Sequence, residues 1–330
     1  MTTRGPRFLF LWSAFRYGHS PQPEVPFVLF RHSQRPLRSA LVTALVVMLA
    51  VASACSAREK APTAAITDDF GDTLLAGVAP RRIVSLNPTT TELLFAIGAG
   101  PRIVGRTSYD AIPAAVHAIP DLGPGLRPNV EAVLAAHPDL VLLYASADNR
   151  PAAARLRASG IATAAYRIDR IADMARVTLI LGRLSGETAS AQRTVDSVSA
   201  TLDRVRKATA ALPHPTVFWP VWESPLLSVG RGSFLNELVD IAGGRNVFAD
   251  LAQPSPAVTF EEVLRRDPDV IIAGSASRKR MEESPRFGTL RAVREHRIIV
   301  IDSTLATGPS TRVGASAVTL ARLLHPGVSF

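Results

Sequence analysis

The stretch Val130-Glu-Ala-Val-Leu-Ala-Ala-His-Pro-Asp-Leu-Val-Leu-Leu143 recurs as Phe260-Glu-Glu-Val-Leu-Arg-Arg-Asp-Pro-Asp-Val-Ile-Ile-Ala273, at a constant offset of 130 residues. In the first copy, apolar spacing predicts a helix over Asn129–Ala136, a turn at His137-Pro138-Asp139 and a strand over Leu140–Leu143. That strand is apolar without alternation, as in a parallel sheet covered on both faces. A second echo relates Glu92-Leu-Leu-Phe-Ala-Ile-Gly-Ala-Gly100 to Glu237-Leu-Val-Asp-Ile-Ala-Gly-Gly244. In both halves a predicted strand, Ile83–Leu86 or Thr216–Trp219, precedes that helix. The body therefore reads as two related lobes of class α/β, each with a parallel-rich sheet flanked by helices.

The remaining elements fit this plan. Asn87-Pro88-Thr-Thr-Thr91 reads as a turn and N-cap, followed by a helix over Glu92–Ile97. Another helix is expected over Ala152–Ala158 and a strand over Ile161–Tyr166. Asp169–Leu212 contains no proline. Its first part, Ile171–Leu184, is apolar at helical spacing, and Gly186 breaks the run. Thr188–Ala211 then sets Val195, Val198, Leu202 and Val205 on one helix face. Such a helix is on the order of 35 Å long, enough to join two lobes stiffly across a ligand cleft. The boundaries are a leader over 1–55, a tether and hairpin-like stretch over 56–80, one lobe over 81–186, the interlobe helix over 187–212 and a second lobe over 213–330.

The chain has 330 residues and a formal charge of +9. Six arginines and one glutamate precede Cys55, so the rest holds 31 basic and 27 acidic residues, a balance of +4. No basic run with interleaved aromatics remains, which argues against a nucleic-acid partner. The basic segment Arg31–Arg38 and the apolar run Ala40–Ala54 form an export signal, too short to span a bilayer. Residues 1–30 fit neither leader nor domain and are read as lying upstream of the true start. Cys55 is the sole cysteine, so no internal disulfide is possible. Ala52-Ser53-Ala54-Cys55 resembles a bacterial lipobox, with Ala52 where leucine is common. That resemblance implies a body held outside the inner membrane by a lipid on Cys55.

Arg82-Ile-Val-Ser-Leu-Asn-Pro-Thr-Thr-Thr-Glu-Leu-Leu-Phe-Ala-Ile-Gly-Ala-Gly100 resembles the opening of the helical-hinge periplasmic binding proteins for vitamin B12, haem and ferric siderophores. Val104–Tyr109, Asn129–Leu134 with Pro138–Val141, and Gly232–Leu238 with Ala242–Gly244 carry the same resemblance, which is strongest towards the cobalamin-binding branch. It implies a monomeric solute-binding protein that captures a cobalamin-type corrinoid between its lobes. Delivery would be to an ABC importer permease dimer, without catalysis or a cofactor. It also implies one acidic docking residue per lobe, Glu131 and Glu261, with Glu262 as the neighbouring alternative. An acid in the first turn of a helix is also favoured by the helix dipole, by about 0.3–1 kcal/mol.

A corrin needs aromatic faces for its disc and polar groups for its rim. Beyond the carboxyl ends of the predicted strands lie Asn87, Thr89, Tyr109 and Tyr144 in the first lobe. Trp222 holds the corresponding place in the second lobe, whereas Trp219 has the opposite strand parity and belongs to the core. Each tyrosine could instead be a rim or core aromatic. Ser255 occupies a position where the cobalamin pattern can show tryptophan. Arg312 matches a family arginine near the cleft and would hold a propionamide or phosphate, or else form a helix cap or inter-segment ion pair.

Haem or a ferric siderophore is the alternative cargo. Tyr109 or Tyr144 could ligate haem iron, and Arg312, Arg106 and Arg231 are the arginines available to a siderophore. An enzyme is disfavoured. The seven histidines show no metal-ligand spacing, and Gly230-Arg-Gly232 lacks the third glycine and following acid of a dinucleotide site. A lipoprotein that docks without delivering is a further possibility.

Overall fold

The computed structural model describes residues 65–75, 79–302 and 308–330. Cys55, the leader and most of the tether lie outside the described residues. The first described element is a hairpin, in which β1 (Ala65–Thr67) pairs antiparallel with β2 (Thr73–Leu75). Asp68 holds its turn by accepting the backbone N–H groups of Phe70 and Asp72 at 2.9 Å each.

The first lobe runs β3 (Ile83–Leu86), α1 (Pro88–Ala96), β4 (Ile103–Gly105), α2 (Val130–Ala135), β5 (Leu140–Tyr144), α3 (Arg150–Ala158), β6 (Ala162–Tyr166) and α4 (Ile171–Ser185). Its four strands are parallel, in the order β4-β3-β5-β6. The connecting helix α5 spans Thr188–Thr209. The second lobe begins with β7 (Thr216–Phe218), the hairpin β8 (Pro220–Glu223) and β9 (Leu226–Ser228), α6 (Phe234–Ile241) and β10 (Arg245–Asn246). It continues through α7 (Phe260–Arg266), β11 (Val270–Ala273), α8 (Ser275–Glu283), α9 (Arg291–Arg294), β12 (Ile298–Val300) and α10 (Val313–Leu324). Its parallel sheet has the order β10-β7-β11-β12. With the β8–β9 hairpin set aside, both sheets place their strands as second, first, third, fourth in chain order.

The repeat extends to backbone detail. His137 and Asp267, equivalent at the offset of 130, both follow their helix with positive φ, 47° and 39°. Both chain reversals are followed by Pro-Asp and a run of four buried strand residues, Leu140–Leu143 and Val270–Ala273. The clearest departure from the expected element bounds is α1, which starts at Pro88 instead of Glu92. Asn87 Oδ1 accepts the Thr89 N–H at 3.0 Å, and proline suits a first-turn position that needs no donor. The Thr90 hydroxyl donates to Asn87 O at 2.8 Å, so the threonine run stays helical through local bonds.

Val195, Val198, Leu202 and Val205 are buried along α5, as their spacing requires. One continuous apolar core passes from Leu93, Val177 and Leu181 in the first lobe through Val198, Leu202 and Val205 to Leu238, Ile272 and Ala317 in the second. Burying each such aliphatic side chain contributes about 1.5–3 kcal/mol. Two smaller clusters occupy the outer face of each sheet. Gly182 lets α4 and α5 approach, since a Cβ there would lie 2.4 Å from Ala191 Cβ. The lobes are thus joined by packing along a helix. Among the described residues, no helix is long and apolar enough to cross a membrane.

Candidate ligand cleft

In parallel sheets of this order, ligands sit past the carboxyl ends of the strands, where neighbouring connections diverge. The first lobe has a recess of about 300 Å³ there, lined by Leu86, Asn87, Pro88, Tyr109, Pro124, Gly125, Leu126 and Tyr144. Asn87 follows β3, Tyr109 stands in the loop after β4, and Tyr144 ends β5. Tyr109 is 72% exposed and Leu126 51%, so the recess presents an open apolar rim. Tyr144 is half-buried, and its hydroxyl donates to Asp169 Oδ1 at 2.8 Å. Burial, followed by the hydrogen bond to Asp169 and its charge, pushes the Tyr144 phenol up to about 12. Tyr144 therefore offers a neutral ring at physiological pH.

Two buried features build this wall. A Cβ at Gly125 would lie 2.3 Å from Leu86 O, so only glycine lets the Pro124–Leu126 loop settle on the end of β3. Asn149 is fully buried; its Nδ2 donates to Gly125 O and Tyr144 O at 3.0 Å each, and its Oδ1 accepts the Arg127 N–H at 3.0 Å. One side chain thereby fixes the loop and the strand end that carry the aromatic surface.

The second lobe holds a recess of about 450 Å³ at the corresponding strand ends, lined by Pro220, Val221, Trp222, Glu223, Ser224, Ser277 and Arg280. Trp222 is 61% exposed, and its indole N–H donates to Ser224 O at 2.8 Å. Trp219 is buried in the core, as parity requires. Beside Trp222, Arg280 donates to both Glu223 carboxylate oxygens at 2.9 and 2.6 Å and to Ser277 Oγ at 2.9 Å. The guanidinium hydrogen bond holds the Glu223 carboxyl below its ordinary range.

The structure distributes the remaining sequence-selected residues differently. Thr89 faces the other lobe, since a Cβ at Gly308 would lie 2.9 Å from its Oγ1. Arg312 pairs with Glu92 through Nε–Oε2 and Nη2–Oε1, both 3.0 Å, an inter-segment ion pair between the lobes. Ser255 is exposed on a segment that runs along Ser228–Gly230, outside the linings of both recesses. Arg106 is committed to the carbonyls of Val116, Ile119 and Thr107. Among the described residues, no group of three histidine, aspartate or glutamate side chains could hold a metal ion.

Glu131 and Glu261 stand in the first turns of α2 and α7, capped by Asn129 and Thr259. Both carboxylates are exposed, and each pairs with a surface arginine, Arg155 at 3.1 Å and Arg286 at 3.6 Å. Glu262 is engaged differently. Its Oε2 accepts the Thr259 N–H at 3.0 Å, and its own N–H reaches Thr259 Oγ1 at 3.2 Å, closing a capping box.

Residues 83–305, the greater part of both lobes, match the family described as periplasmic binding protein. The chain belongs to that family. It is 27% identical over 255 residues to an uncharacterised ABC transporter substrate-binding lipoprotein, YvrC, of Bacillus subtilis, covering 75% of this chain and 81% of that one. It is 32% identical over 202 residues to the vitamin B12-binding protein of Salmonella typhimurium, covering 60% of this chain and 74% of that protein. Its fold is that of a periplasmic haem-binding protein from Pseudomonas aeruginosa, with a TM-score of 0.68 at 22% identity, covering 76% of this chain and 94% of the other.

Against this family background, the sequence reading missed Asn149, Leu126 and the Glu223–Arg280 pair. Asn149 gave no signal, because its partners are backbone groups brought to it by tertiary structure. Arg280 lies in the charged run Ser277-Arg-Lys-Arg-Met281, which in sequence reads as a solvated helix face.

Proposed function

We propose that this chain is the substrate-binding protein of an ABC importer and that it captures a cobalamin-type corrinoid between the Tyr109–Tyr144 wall and the Trp222 wall. The observation that carries this reading is aromatic surface in a recess past the strand ends of each lobe: Tyr109 after β4 and Tyr144 at the end of β5 in the first, Trp222 after β7 in the second. A broad apolar disc needs two such faces, and the polar rim groups Asn87, Glu223 and Arg280 suit its amides. The resemblance to a protein named for vitamin B12 binding supports the same cargo. Arg312 and Arg106 have partners within the protein, which leaves fewer cations for an anionic ferric siderophore. Haem remains the second reading, favoured by the exposed Tyr109 phenol. Tyr144 suits it less, because iron ligation would have to displace Asp169 and a tightly held proton.

Glu131 and Glu261 are the proposed permease contacts, one per lobe, suited to a two-fold permease. The Ala52–Cys55 lipobox supports a lipidated protein held at the membrane on the extracytoplasmic side. Titration calorimetry of the whole chain with cyanocobalamin, haemin and a ferric hydroxamate tests the cargo. Nanomolar cyanocobalamin binding, about −12 kcal/mol, is the expected result. Binding of haemin alone would move the cargo to haem.

A further inference from the structure

The two echoing glutamates of the sequence make matching contacts across the lobes. Glu92, in α1 of the first lobe, pairs with Arg312, the N-cap of α10 in the second lobe. Glu237, in α6 of the second lobe, pairs with Arg170, the N-cap of α4 in the first, at 2.7 and 2.5 Å. Glu237 also accepts the Ile171 N–H at 2.9 Å. Helices α1 and α6 follow the first strand of each sheet, and α4 and α10 follow the fourth. Each lobe therefore gives a glutamate from one element and receives it on the equivalent of its partner's other element. That reciprocity is the signature of a two-fold relation, and it places the pairs on either side of the axis relating the lobes.

We infer that Glu92–Arg312 and Glu237–Arg170 are reciprocal struts that fix the spacing of the two ligand walls. The four residues position the aromatic surfaces and do not touch the ligand. The physical argument concerns what else joins the lobes. The shared apolar core runs along α5, and rocking about that helix is the motion the struts would oppose. Packing is incomplete beside each strut. An open recess of about 380 Å³ lies between Ala96, Thr311 and the Ser190–Ser197 part of α5, and one of about 470 Å³ lies between Ile171, Asp240 and Arg206. The recesses lie towards opposite ends of α5, on the order of 18 Å apart at 1.5 Å per residue between Thr194 and Arg206. At both places, charge-assisted hydrogen bonds add to the packing of core residues such as Val198 and Ile241.

The test uses the full chain carrying Cys55→Ser, with spin labels at the exposed positions Ser159→Cys and Glu283→Cys, one in each lobe. Interlobe distances are measured without ligand, and cyanocobalamin kinetics are measured alongside. This second readout rests on the proposed cargo; the distance readout does not. Glu92→Gln with Glu237→Gln should broaden the distance distribution and raise the ligand off-rate about tenfold, with the on-rate little changed. Glu92→Arg with Arg312→Glu should restore a narrow distribution, and this variant decides the matter if the neutral pair does not fold. Unchanged distances and off-rate, even with a lower urea midpoint, would reduce the pairs to fold stabilisers and overturn the inference. So would an Arg312→Gln variant that loses affinity with unaltered distances, because Arg312 would then be a ligand contact. If the unsubstituted chain does not bind cyanocobalamin, the cargo reading fails and the distances alone judge the struts.

Discussion

Tyr144, the last residue of β5, donates its hydroxyl hydrogen to Asp169 Oδ1 across 2.8 Å, tying the end of the strand to the segment leading into α4. The ring cannot turn out of the first wall without breaking this bond, so the recess is preformed on that side. Burial of the ring, with this contact second, makes the wall sensitive to pH in the alkaline range. The folded phenol value, about 12, lies above the ordinary value near 10. The stability contribution is therefore complete below about pH 10 and is lost as pH rises from there through about 12. Tyr144→Phe should flatten the fall of the urea midpoint across that interval. Buried Tyr166, also raised, retains part of the slope. An unchanged slope would mean that Tyr144 titrates like a solvated phenol.

The two aromatic walls belong to different lobes and meet through the ligand they share, so the sum of their single losses sets the scale of the double variant without strict additivity. Removing one large aromatic face costs about 1.5–3 kcal/mol of burial. Tyr144→Ala with Trp222→Ala should weaken cyanocobalamin binding by about 3–6 kcal/mol on the same grounds, measured by calorimetry on protein with an unaltered far-UV spectrum. Equal affinity of the double variant and the parent would remove the ligand from this cleft.

Asn149 should control the first wall from beneath. Asn149→Ala leaves Gly125 O and Tyr144 O without their buried donor, at about 1–3 kcal/mol for each unsatisfied group. Asn149→Asp should cost more at neutral pH, because a carboxylate would face the same two carbonyl oxygens. Urea unfolding measures both. A change below about 0.5 kcal/mol in each, the usual range of surface substitutions, would mean that the loop holds without the side chain.

The two-lobe architecture was legible because the repeat writes it twice. The Pro-Asp turns, buried strands and apolar stripe of α5 are local patterns, whereas the sheet order, with the short strands β4 and β10 at its edges, is set by tertiary pairing. The helix start at Pro88 was harder to see, because the Thr89-Thr-Thr91 run has weak helix propensity and is held by Asn87 and Ser85. At the cleft, the aromatics announce themselves by residue type and strand parity. Asn149 and the Glu223–Arg280 pair do not, because Asn149 bonds backbone groups that tertiary structure brings to it and Arg280 is 57 residues from Glu223. Arg312 shows the limit most clearly. The chain pattern placed it near the cleft, and the distinction between ligand contact and interlobe ion pair rests on Glu92, 220 residues away.

The outer surface gives a prediction that separates capture from delivery. Glu131 and Glu261 occupy equivalent first-turn positions and pair with surface arginines, contacts worth little in water. Glu131→Ala with Glu261→Ala should leave folding and cyanocobalamin affinity at parental values and abolish cobalamin-dependent growth of a cell relying on this importer. Glu262→Ala provides the contrast. It opens the capping box with Thr259 and should lower stability by up to about 1 kcal/mol, yet uptake should persist, because its carboxylate is turned back towards the helix start. Normal uptake by the Glu131/Glu261 double variant would place permease docking elsewhere. Loss of uptake by Glu262→Ala at unchanged protein level would assign the second-lobe contact to Glu262 instead of Glu261.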